Sequence, residues 1–331
     1  MPDTNLGAAP ATLELGKEYP PPGEAEAIEK LRGLHLKVQG LHPGKRGEHP
    51  KHHAGLWATF TVESNIPAQM RVGIFAEPRA FKAFLRFSNG RNFDDRVSDV
   101  HAIAIKVLIP GDAQAPVQQD FILADHPVFF AEDVQRTLEF LIASVTGTTP
   151  DQLAKTSYPK LIGFTNVPQI SPLAMTYWSQ TPYRLGTVAV KYVAFPSAGQ
   201  DLPKAVLNDS PDCLKEVMAE QLAPQAPPVR FEFCVNPQTD AAAMPVENPT
   251  IEWDSQPVKL ATIEIQPQHF DTPERMTFVE NLTWTPWHAL PEHTPIGGVN
   301  RARRMVYEDS QALRHKINSV ETPVITGNEN F

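Results

Sequence analysis

The chain has 331 residues, 41% of them hydrophobic, with a formal charge of −9, which is enough material for one large core. The negative balance, with no basic stripe, excludes nucleic acid as the main partner. No apolar run reaches the length of a membrane span, and the first fifteen residues lack the basic start and apolar centre of a secretion signal, so a cytoplasmic protein is expected.

Residues 1–23 are rich in Pro, Gly and Ala and read as an N-terminal surface arm, a candidate contact in a homo-oligomer; residues 24–331 read as one domain. Leu56, Ala58, Phe60 and Val62 alternate with Trp57, Thr59, Thr61 and Glu63, the period of a two-faced strand. Leu85 and Phe87 alternate with Arg86 and Ser88, so Arg86 is expected to face a cavity while its apolar neighbours pack outward. Asp94, Asp95 and Asp99 are typical turn-capping residues. Ile103, Ile105 and Val107 alternate with Ala104 and Lys106. Helical patterns cover Glu132–Val145, Asp151–Phe164 and Asp212–Leu222, and further strand patterns cover Tyr183–Phe195, Val229–Val235 and Val258–Ile265. Cys213 and Cys234 stand in no paired motif, so no disulfide framework is expected. The 33 prolines are about twice the usual share of roughly 5% and predict long ordered connections. One of these, Trp284–His293, leads through Gly297 and Gly298 into a stretch, Val299 to Thr322, that no Gly or Pro interrupts. There Arg303 and Tyr307 stand four residues apart, and Gln311 and Arg314 continue their stripe. A phenol ordinarily ionises near pH 10, but a neighbouring cation and a bound ferric ion both favour its anion. Strands first, helices between and after, and strands returning point to an α+β fold: an antiparallel β-barrel with surrounding helices and a C-terminal helix carrying Tyr307.

The spacing Arg303-x-x-x-Tyr307-x-Asp309, with Arg314 seven residues after the tyrosine, resembles the proximal helix of the monofunctional haem catalases. Four other segments follow in the order of that family. Arg46-Gly-Glu-His49-Pro-Lys, leading to Phe60-Thr-Val, resembles its distal segment, with one extra residue between His49 and Phe60. Phe84-Leu-Arg86-Phe-Ser88, Ser98 to Lys106, and Asp120 to Phe130 resemble the strands after it. The resemblance implies a small catalase-like protein, without the C-terminal region of full-length catalases, that binds haem b. Tyr307 would ligate ferric iron, as tyrosine does in catalase. Arg303 would hold the phenolate, Arg46, Arg86 and Arg314 the propionates, and Phe129 the porphyrin face. His49 would be the distal acid–base residue, with His52 and His53 as alternates and Asp125 as a second catalytic group.

The implied activity is breakdown of hydrogen peroxide or an organic hydroperoxide, by a peroxidase or catalase route. Two positions depart from the family. Ala124, beside Asp125, stands where catalases place a peroxide-orienting asparagine, and Gln180 stands where a histidine extends the relay from arginine to tyrosine; Gln180 can still donate or accept. Fatty-acid hydroperoxide rearrangement of the allene-oxide-synthase type and haem binding without turnover are the alternatives. A further one is a non-haem metal held by His49, His52 and His53 with Asp125 or His126.

Overall fold

A computed structural model describes residues 12–111, 116–165, 170–202 and 208–331. Among these, nine strands form: β1 (His52–Val62), β2 (Ala80–Asn89), β3 (His101–Ile109), β4 (Val117–Ala124), β5 (Tyr177–Trp178), β6 (Tyr183–Leu185), β7 (Val188–Pro196), β8 (Val229–Pro237) and β9 (Val258–Ile265). Every pairing is antiparallel, in the order β5-β4-β3-β2-β1-β9-β8-β7, and β5 bonds to β7, closing an eight-stranded barrel; β6 pairs with another part of β7. Closure leaves no long free edge, and eight strands give an interior that side chains can fill.

Leu56, Phe60, Leu85, Phe87, Ile103, Ile105, Phe121 and Phe233 fill that interior. Phe121 and Phe233 meet with ring centroids 4.8 Å apart, and Phe60 meets Phe233 at 5.2 Å. Each such buried aromatic stabilises the fold by about 1.5–3 kcal/mol. Arg86 does face a cavity, as expected, but its apolar neighbours take the opposite side to the expected one. Leu85 and Phe87 point into the barrel, while Arg86 and Ser88 point outward, because the largest apolar volume is enclosed by the sheet. The outer face is itself covered, so Lys106 is fully buried and pairs with Asp120 at 2.7 Å.

Seven α-helices are described: α1 (Glu24–Gly40), α2 (Val134–Val145), α3 (Pro150–Thr156), α4 (Ile162–Thr165), α5 (Cys213–Gln221), α6 (Pro273–Asn281) and α7 (Gly298–Asn318). Neither α1 nor α6 was among the expected helices. The pattern expected over Asp151–Phe164 breaks into α3 and α4 because Tyr158 precedes Pro159, and a residue before proline avoids the helical region. Tyr183–Phe195 divides into β6 and β7 at Gly186, whose φ of 63° supplies the turn. The last helix stops at Ser319, which takes a left-handed conformation, rather than running to Thr322.

α1 lies against α2 and α7 through Ala27, Ile28, Leu31, Val134, Leu138 and Ala302. The N-terminus of α7 is tied down by carboxylates, which suits its unpaired N–H groups and positive dipole end. Gly297 N–H donates to Glu18, Gly298 N–H donates to Glu247, and Arg301 bridges Glu18, Glu24 and Glu247. The described part of the arm, α1 and the chain around residue 247 thus converge on one point of α7.

The Trp284–His293 segment packs as structural cover. Thr285 N–H donates to Asp120, Leu290 N–H to Gln119, and Trp287 Nε1 to the Asn300 carbonyl. The aspartates of the 94–99 loop accept backbone N–H groups from Arg96, Leu214, Arg91 and Asn92. Cys213 and Cys234 are both free and buried. Among the described residues no helix is long and apolar enough to cross a membrane.

Candidate active site

A cavity of about 640 Å³ lies outside the barrel wall, lined by the loop after β2, parts of β3 and β4, helices α1 to α4, and α7. A smaller lobe of about 100 Å³ shares some of its walls. His49 and Tyr307 line both lobes, as do Ala102, Ile122 and Val306. Arg303 and Phe129 line the larger lobe, and Arg46, Arg86 and Arg314 the smaller.

The wall is built from local rules. Because Leu85 and Phe87 take the inside of the barrel, Arg86 and Ser88 must emerge outside it, and β3 presents Ala102 and Ala104 beside them. α7 contributes Arg303, Tyr307 and Arg314 from one stripe and turns Ala302 toward α1. Arg303 Nη2 donates to Tyr307 Oη at 2.9 Å. The other terminal nitrogen of Arg303 reaches Asn300 Oδ1 at 3.2 Å, which also accepts from Thr181 Oγ1 at 3.0 Å. Thr181 and Asn300 therefore stand behind Arg303. Gln180 does not join them: its amide donates to the His126 carbonyl, and its backbone has a φ of 61°.

His49 is likewise at an unusual backbone position, with a φ of 54°. The left-handed region is costly for a residue with a Cβ, and such strain collects where a side chain must be aimed. The surrounding bonds enforce it. His49 N–H donates to the Gly90 carbonyl at 2.9 Å, and the His49 carbonyl accepts from Arg86 Nη2 at 2.6 Å. His49 Nδ1 lies 3.4 Å from Ser88 Oγ. Burial, reinforced by the charges of Arg86 and Arg303, pushes the imidazole down to about 3, so it is neutral at ordinary pH.

The smaller lobe concentrates positive charge. Arg86 and Arg314 are buried and Arg46 is mostly so, and desolvation lowers each, with Arg314 brought to about 9. Glu280 at the end of α6 is their one carboxylate among the described ion pairs, 3.8 Å from Arg46 and 3.8 Å from Arg314. Burial would raise Glu280, but His52 and the charges of Arg46 and Arg86 hold it at about 2. Arg46 Nε and Arg86 Nε are enclosed without any hydrogen-bond partner.

Several expected groups lie elsewhere. Asp125 follows Phe121 and Leu123 on the inward parity of β4, so it pairs with His101 at 2.7 Å and does not line the cavity; its neighbour Ala124 does. His52 pairs with Glu280 at 3.3 Å, and His53 bonds Asn89 at 2.8 Å. The β-bulge between His52 and Ala54 helps to separate these histidines, and among the described residues no cluster of His, Cys, Asp or Glu could hold a metal ion. Glu280, Thr181, Asn300 and His35 are site residues without a motif. The spacing of Ile28, Leu31, Leu34 and Val38 is the sequence trace of α1, which carries His35.

No protein-family model and no curated protein sequence matches the chain. Solved structures do. Catalase A from Saccharomyces cerevisiae superposes with a TM-score of 0.66 at 17% identity, over 94% of this chain and 70% of that one. The fold is that of the catalases. A fungal catalase gives a TM-score of 0.64 at 17% identity over 96% of this chain and 68% of its own. A bacterial catalase gives 0.66 at 16% identity over 98% and 68%. This catalase-like chain therefore retains the barrel and the helices around it at a length shorter than these three.

Proposed function

We propose that the cavity holds haem b, with Tyr307 as the ligand to ferric iron, and that the protein breaks down hydrogen peroxide or an organic hydroperoxide. The observation that carries this reading is the part-buried Arg303–Tyr307 hydrogen bond in a cavity that also contains a neutral, backbone-clamped His49. A guanidinium donating to a phenol oxygen suits an anionic oxygen ligand. The polar lobe also fits the group. Three guanidiniums face one carboxylate, two guanidinium nitrogens lack a hydrogen-bond partner, and two propionates together with Glu280 would set three negative charges against three positive ones. Apolar walls of Ala102, Ile122, Val306 and Phe129 suit a porphyrin.

When bound, haem supplies an iron centre that accepts and returns the oxidising equivalents of a peroxide bond. The protein supplies the proton handling. The ring nitrogen of His49 that does not face Ser88 can take a proton from a bound peroxide and return it to the departing oxygen. Arg86 assists by holding the His49 carbonyl, and Thr181 and Asn300 keep Arg303 aimed at Tyr307.

One observation favours organic hydroperoxides as a second substrate class. Ala124 puts a methyl group where the catalase resemblance calls for an amide, and Phe130, Phe140, Leu161 and Phe164 extend the apolar wall. The test is oxygen release from hydrogen peroxide, normalised to haem absorbance, alongside reductant oxidation with cumene hydroperoxide. Rapid oxygen release per haem supports catalase action; slow release with fast reductant oxidation supports the hydroperoxide branch. A Tyr307→Phe variant that keeps the native haem spectrum would overturn the ligand assignment.

A further inference from the structure

Helix α1 brings to the cavity a histidine outside all the motifs. His35 lines both lobes and shares the smaller one with Arg46, Arg86 and Arg314. Its Nδ1 is buried without a hydrogen-bond partner. The imidazole lies against the backbone of Gly47, where an added Cβ would be 2.3 Å from His35 Cε1 and 2.9 Å from Nε2. Glycine between Arg46 and His49 thus makes room for this ring.

The helix is held in place on both sides of the residue. One turn before it, Arg32 pairs with Asp309 of α7; one turn after it, the Gln39 amide donates to the carbonyls of Lys45 and Ser310, each at 2.9 Å. His35 is therefore a fixed group on the wall of a lobe whose chemistry calls for an anion. Nδ1 is enclosed by protein, so Nε2, which makes no hydrogen bond among the described residues, is the nitrogen that an occupant of that lobe could reach.

We infer that His35 is a fourth member of the anion-binding end and donates a hydrogen bond to a carboxylate of the bound ligand. This rests on the proposed function, in which the ligand is haem b and the carboxylates are its propionates. The role is positional: His35 sits on α1 rather than on the barrel or α7, so it couples retention of the ligand to the docking of α1.

The experiment compares wild type, His35→Phe and His35→Gln, each loaded with haem b or with its dimethyl ester, in which both carboxylates are masked. The readout is the rate of haem transfer to excess apomyoglobin, with thermal melting as a check on folding. His35→Phe is expected to lose haem b about tenfold faster, the worth of one hydrogen bond to a charged group, and His35→Gln to recover most of that loss. With the ester, wild type and His35→Phe should lose the group at the same rate. Equal loss of haem b from wild type and His35→Phe would overturn the inference while leaving the haem reading intact. An equal acceleration with the ester would also overturn it, by reducing His35 to a packing residue. A wild-type protein that takes up no haem would overturn both readings.

Discussion

Acidification is the most direct test of the electrostatics of His49. Its imidazole is held at about 3 inside the fold, against an ordinary value of 6.5. Protonating it in place therefore costs about 5 kcal/mol more than in the unfolded chain. The sign follows from linkage. Above pH 6.5 neither state binds the proton; between 6.5 and about 3 only the unfolded state does, so stability is lost as the pH falls through that window. The slope is about 1.4 kcal/mol per pH unit for this one group. A His49→Asn substitution removes the titration and keeps a residue type that tolerates the left-handed backbone. Urea unfolding of the haem-free wild type and variant at pH 6.5 and 4.5 should show the variant gaining about 2.3 kcal/mol relative to wild type over that interval, because the unfolded imidazole is already half protonated at pH 6.5. Parallel stability curves would refute the reasoning, since they would mean that His49 titrates alike in the folded and unfolded chains.

Three other outcomes are expected. Gly297→Ala should lower stability by 2 kcal/mol or more, roughly, in thermal unfolding, because φ is 87° there and the new Cβ would lie 2.7 Å from the Val246 carbonyl oxygen. Lys106→Met should cost about 3–5 kcal/mol, since it leaves Asp120 charged and buried; replacing Asp120 by Asn in the same chain should recover part of the loss, as read by urea midpoints. Ala124→Asn should raise oxygen release per haem at least several-fold by adding an amide to the wall of the cavity that His49 also lines, measured with an oxygen electrode at equal haem absorbance.

Local pattern was sufficient for much of this protein. The alternation at residues 56–62, 103–107 and 258–265 marks strands because a pleated chain repeats every two residues, and the uninterrupted run after Gly298 marks a helix because nothing in it breaks one. The pairing of Arg303 with Tyr307 is likewise a consequence of helical geometry, legible before any packing is known. Which side of a strand faces the core is not local. Arg86 faces outward because the barrel closes through β5 and β7, and that closure depends on contacts far apart in the chain. The same tertiary choice turns Asp125 away from the cavity toward His101 and leaves Ala124 at its wall. Glu280 and His35 belong to helices whose significance lies in what they pack against, so only the assembled fold places them with Arg46 and Arg314. Periodicity is a property of adjacent residues; a shared cavity is a property of all the contacts at once.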